Sequence, residues 1–127
     1  MIERIREAAL ALPDVTEDVK WGHDLVFSVV GKMFAVVCLE PPHSLSFKCS
    51  PEDQADLVER EGITPAPYMA RHFWVQLAAP DVLGWRELQR RLRASHELVR
   101  AKALKGSRSV RKVAKVTKAR KVTKGRT

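Results

Sequence analysis

The chain of 127 residues has room for one domain with a single core and too little for two. Its 45% hydrophobic and 30% charged residues exclude overall disorder, and no apolar run nears the roughly 20 residues that a membrane span needs. The net charge of +8 is unevenly held: residues 1–104 carry 13 Lys and Arg against 15 Asp and Glu, a net of −2, whereas residues 105–127 carry 10 cations and no acid.

Ile2, Ile5, Ala9 and Leu12 recur at spacings of three and four, which predicts an amphipathic helix stopped by Pro13. Acids interrupt this N-terminal stretch, so it lacks a signal-peptide layout and the expected location is the cytoplasm. After a loop with Asp14 and Thr16, VKWGHDLVFSVVGKMFAVVCL holds two β-rich runs joined at Gly31-Lys32, read as a type II′ hairpin turn. That turn pairs Val29 with Phe34 and Phe27 with Val36, giving a core face of Phe27, Val29, Phe34, Val36 and Cys38. In the next run Leu45, Phe47 and Cys49 alternate inward, with Ser44, Ser46 and Lys48 outward.

Ser50-Pro51-Glu52 reads as an N-cap, a proline at the first helical position and a first-turn acid, opening a helix that runs to about Arg60 and ends at Gly62. Pro65 and Pro67 bar a helix over Ile63 to Ala70, and a strand follows from about His72 to Leu77. Its alternation puts Phe73, Val75 and Leu77 on the core side and His72, Trp74 and Gln76 on the other. From Gly84 to Leu104 a long helix is predicted, with Ser95 as its weak point. The order gives an α+β fold: an antiparallel sheet with helices packed on one face. The domain is 1–104, and 105–127 is a basic tail, disordered when free, with the boundary at Gly106-Ser107.

Neither GxSxG, GxxxxGK[ST] nor GxGxxG occurs, and His23, His43, His72 and His96 have no partners at metal-ligand spacing. The chain therefore reads as a binding protein and not an enzyme, without metal or cofactor. Cys38 and Cys49 are read as buried thiols. The tail is the clearest electrostatic signal. Lys105, Arg108, Arg111, Lys112, Lys115, Lys118, Arg120, Lys121, Lys124 and Arg126 can neutralise phosphates and release counterions. Without Asn, Gln or aromatics in the tail, such binding is largely non-specific. The tail fits either a nucleic-acid tether or a solvated segment that contacts any polyanion weakly. A second candidate is the sheet face with Lys48, His72 and Trp74, where the indole could stack a base or simply be covered by a helix or loop.

WGH at 21–23, GKMFAVV at 31–37, LSFKCSPE at 45–52, ITPAPYMARHFWV at 63–75 and SHELVRAKAL at 95–104 together resemble the MmcQ/YjbR family, over the whole domain and outside the tail. The resemblance implies a frataxin-like (CyaY-like) α+β fold, a proposed double-wing mode of DNA binding, and no established enzymatic activity. Trp21, Gly22, His23, Lys32, Lys48, Tyr68, Arg71, His72 and Trp74 stand at the family's pattern positions. The fold likeness also raises iron binding, which in frataxin-like proteins relies on an acidic first helix and first strand. Here Glu3 and Glu7 alternate with Arg4 and Arg6, so the charge cancels.

The expectation is a cytoplasmic bacterial protein that binds DNA, or RNA by the same phosphate chemistry, and no membrane. Lys32, Lys48, Arg71, His72, Trp74 and the ten tail cations would make the nucleic-acid contacts, with Trp21, His23 and Tyr68 as a further ligand face. The alternative is a small-molecule or protein-interaction module using His23, Lys48, Arg71 and Trp74.

Overall fold

The computed structural model describes residues 1–67 and 69–115. In chain order it contains α1 (Ile2–Leu10), β1 (Val15–Lys20), β2 (Asp24–Val29), β3 (Lys32–Cys38), β4 (Leu45–Lys48), α2 (Pro51–Leu57), β5 (Ile63–Pro65), β6 (Trp74–Leu77) and α3 (Trp85–Lys115). The strands form one antiparallel sheet in the order β1-β2-β3-β4-β6-β5. Ile5 and Ala9 of α1, Leu57 of α2 and Leu88, Leu92 and Val99 of α3 meet Phe27, Phe34, Phe47, Leu45, Val75 and Leu77 in a single core, so the helices cover one face. The α+β architecture follows the sequence expectation. Full burial of the three phenylalanines stabilises the fold by about 2–3 kcal/mol each.

The Ser50 cap forms as its residues dictate: the hydroxyl accepts from the Asp53 amide at 3.1 Å, and Pro51 starts α2. The helix ends earlier than expected, at Leu57, and Gly62 supplies a turn with φ +86° before β5. Glu87 of α3 accepts from Arg60 at 2.9 Å and from Arg91 at 3.1 Å, and Arg91 also lies 3.3 Å from Asp53. The Arg60 hydrogen bond, against the opposing cost of burial, holds the Glu87 carboxyl below the usual carboxylate range. This network ties α2 to α3.

Several expectations are corrected. The segment around Thr16, read as a loop, belongs to the edge strand β1, Val15–Lys20, whose TEDVK sequence is polar because most of it is exposed to solvent. The β2–β3 turn is Val30-Gly31, not Gly31-Lys32, and both residues have positive φ, 51° and 78°, so Val29 pairs with Lys32 in a type I′ geometry. A bulge between Phe27 and Ser28 then leaves Phe34 without a partner and shifts the register to Phe27–Ala35 and Leu25–Val37. Phe34 and Ala35 are consequently both buried, and Val37 takes the core position expected for Val36, with Cys38 also displaced from it.

At the other end of the chain α3 is continuous through Ser95 and passes the expected boundary at Gly106-Ser107 to reach Lys115. Ala, Leu, Lys and Arg dominate 101–105 and 111–115, and once a helix is nucleated these residues propagate it. The expected disorder of 116–127 lies outside the described residues.

Candidate nucleic-acid interface

The strand register sorts the sequence-predicted site residues into two ends of the sheet. Lys48 pairs with Trp74 across β4 and β6, and the turn before Lys32 lies at the same end. Trp21, Gly22 and His23 form the β1–β2 turn at the opposite end, where the His23 carbonyl accepts from the Leu39 amide at 2.8 Å. Six steps along β3 separate the two, about 20 Å. His23 therefore cannot share a pocket with Lys48 and Arg71, and the combined ligand face does not assemble. Tyr68 lies outside the described residues, as do Lys118, Arg120, Lys121, Lys124 and Arg126.

Val75 and Leu77 join the core as expected, and Trp74, on the other side of β6 beside Lys48, is covered at 4% exposure, whereas Phe73, expected in the core, is 37% exposed. The reason lies in the loop before β6. Ala70–His72 form a 3-10 turn, and Phe73 ends it in a left-handed conformation, φ 65° and ψ 42°, so regular alternation starts only at Trp74. Gln54 of α2 donates to the Ala70 and Trp74 carbonyls at 2.9 and 3.1 Å. The Lys48 ammonium donates to the His72 carbonyl at 2.6 Å, and the Cys49 amide donates to the Phe73 carbonyl at 2.8 Å. Trp74 thus belongs to the fold and is not an open stacking platform, while Arg71, His72 and Phe73 are displayed outward.

Burial, reinforced by Lys102 on α3, pulls the Lys48 ammonium below its usual range. Its bond to a carbonyl makes it a strut of the loop as well as a charge. Arg71, by contrast, is exposed and makes no ion pair among the described residues. Lys32, His72, Lys102 and Lys105 are exposed too. The β2–β3 turn, the Arg71–Phe73 loop and the extension of α3 thus bring cations to one end of the sheet.

The SHELV segment, whose role the sequence alone does not disclose, locks this end together. The buried Ser95 hydroxyl donates to the Phe34 carbonyl at 2.7 Å and accepts from the Lys48 amide at 3.0 Å. His96, also buried, donates through Nε2 to the Pro13 carbonyl at 2.7 Å and meets Phe34 edge-on at 5.3 Å between ring centroids. Both side chains are therefore committed within the fold. The signal that could have found them was a serine and a histidine on the apolar stripe of an otherwise regular helix.

Burial pushes the Cys49 thiol up to about 11. At pH 8 only about one such thiol in a thousand is ionised, and thiolate is the reactive form. Iodoacetamide at pH 8 should label half-buried Cys38 while leaving Cys49 unmodified until the protein is denatured. Equal native rates, read by peptide mass spectrometry, would contradict the burial.

Among the described residues no group of three His, Cys, Asp or Glu is placed to hold a metal, and no helix is long and apolar enough to cross a membrane. On α1, Arg6 is committed to Glu17 of β1 through bonds of 2.6 and 2.7 Å.

Fold and site together define a small α+β domain, a six-stranded antiparallel sheet backed by three helices, whose last helix carries a basic extension. The YjbR family model matches residues 10–98, and the chain belongs to the YjbR family. A crystal structure of a Deinococcus radiodurans protein with a DUF419 domain superposes with a TM-score of 0.72 at 25% identity, covering 78% of each chain. A Pseudomonas syringae protein of known structure superposes with a TM-score of 0.63 at 22% identity over 77% of this chain and 97% of its own. No curated protein matches the chain.

Proposed function

We propose that the protein is a cytoplasmic, non-enzymatic nucleic-acid-binding protein that holds DNA mainly through its phosphates. The observation that carries this reading is α3. It leaves the sheet at the end that presents Lys32, Arg71 and His72, and continues to Lys115 through a sequence with cations and no acid after Glu97. Lys105, Arg108, Lys112 and Lys115 recur at spacings of three, four and three, the spacing of positions that share one side of a helix. Cations at this density along the chain attract a phosphate backbone. The five cations from Lys118 to Arg126 add charge beyond it. The net of −2 over residues 1–104 assigns the attraction to this extension and not to the domain as a whole.

Phosphate binding of this kind releases counterions, so affinity falls steeply with salt. Fluorescence anisotropy of the full chain with a duplex of mixed sequence, titrated between about 50 and 200 mM salt, should give a log–log slope steeper than about −4, corresponding to at least about five phosphates. Changing the sequence should alter affinity little. Absence of binding, or affinity insensitive to salt, would overturn the proposal.

A further inference from the structure

Among the described residues, Phe73 is the one aromatic at the basic end that stands open. Three observations set it apart. Its ring is 37% exposed, although it directly precedes β6, where Trp74, Val75 and Leu77 are buried. Its backbone is left-handed, φ 65° and ψ 42°, a conformation that costs a bulky side chain stability and that glycine or asparagine adopts more readily. Hydrogen bonds from Lys48, Cys49 and Gln54 to the carbonyls of residues 70 and 72–74 nonetheless hold the loop in that form. A residue kept against its own conformational preference, and displayed instead of buried, is explained by what its side chain meets outside the fold.

The surroundings define that ligand. The Lys48 ammonium stands 5.9 Å from the Phe73 ring centroid, and Arg71 and His72 are the exposed residues just before it. Lys102 of α3 is close enough to Lys48 to depress its pKa. Among nearby acids, Asp53 faces Arg91 at 3.3 Å. An apolar ring face bordered by cations complements a planar base attached to a phosphate. In a duplex the base faces are stacked on one another, so the ring can be covered only by a base that is unpaired.

We propose that Phe73 is a stacking platform for an unpaired base, with Arg71 on the adjoining phosphate, so that this end of the sheet takes single-stranded or locally unpaired nucleic acid. This rests on the nucleic-acid reading above and names its substrate class. The helix extension supplies charge to any polyanion; the Phe73 loop supplies the distinction between paired and unpaired strands.

The test uses the full chain and two fluorescein-labelled probes, a 12-nucleotide oligo(dT) and a dumbbell duplex closed at both ends by hexaethylene glycol linkers, so that it holds no unpaired base. Phe73→Asn suits the left-handed backbone and removes the ring. It should bind oligo(dT) about tenfold more weakly than wild type, bind the dumbbell equally well, and melt within a few degrees of wild type. Phe73→Trp keeps a stacking face; it should retain oligo(dT) affinity, with the fluorescence of the introduced indole quenched by oligo(dT) and not by the dumbbell. Equal losses on both probes, no loss on either, or no quenching of that indole would overturn the stacking role while leaving phosphate binding intact. If wild type binds neither probe, the nucleic-acid reading fails and this inference with it.

Discussion

Replacing Ser95 with alanine is expected to lower the melting temperature by about 10–20 °C, although the change removes a single oxygen atom. That hydroxyl occupies the place of a ladder hydrogen bond: Phe34 and Lys48 lie one step beyond the pair Ala35–Phe47, and both of their backbone groups bond to it instead of to each other. Without it a buried carbonyl and an amide lose their partner together. Each orphaned group costs about 1–3 kcal/mol, so the sum is about 2–4 kcal/mol after the strands relax toward one another. Ser95→Val should be worse, since it adds volume at a site with no exposure. Calorimetry reads both. A shift of under about 2 °C for Ser95→Ala would mean that the two strands close the gap by themselves.

Ending the chain at Leu104 should weaken duplex DNA binding by about 100-fold or more at 50 mM salt, with almost no change in thermal stability. The core explains the second half of that expectation: among the described side chains its last member is Val99, which the shortened chain keeps. The charge explains the first half, because the truncation removes 10 cations and leaves a domain of net −2. A shortened chain that binds as well as the full one would move the site onto the sheet end alone. A shortened chain that no longer melts cooperatively would show that α3 needs its extension to fold.

Much of the architecture was legible because it rests on local chemistry. The α1 periodicity, the Ser50-Pro51 cap and the Leu45–Phe47 alternation each follow from residues within a few positions of one another. The misplaced elements share a different cause. The turn at Val30-Gly31 uses a β-branched residue where φ is positive, and the bulge opposite Phe34 has no local signature. Together they changed which β3 side chains face the core. Phe73 misled for the same reason: a left-handed residue just before β6 takes it out of the strand's alternation and off the core side, while Trp74 keeps its side and is covered there. At the candidate site, charge could be read from composition, but which aromatic stands in the open could not. That depended on Gln54, Lys48 and Cys49, distant in sequence, gripping the loop's carbonyls.

The Ser95 hydroxyl has a consequence in time as well as in space. It joins residues 47 and 61 positions apart, so the junction of β3 and β4 stays incomplete until α3 has been synthesised and docked. Contacts of such long range carry the loop-closure cost that slows folding. During translation, therefore, the N-terminal hairpins can assemble early, while the end of the sheet that gathers the cations sets last.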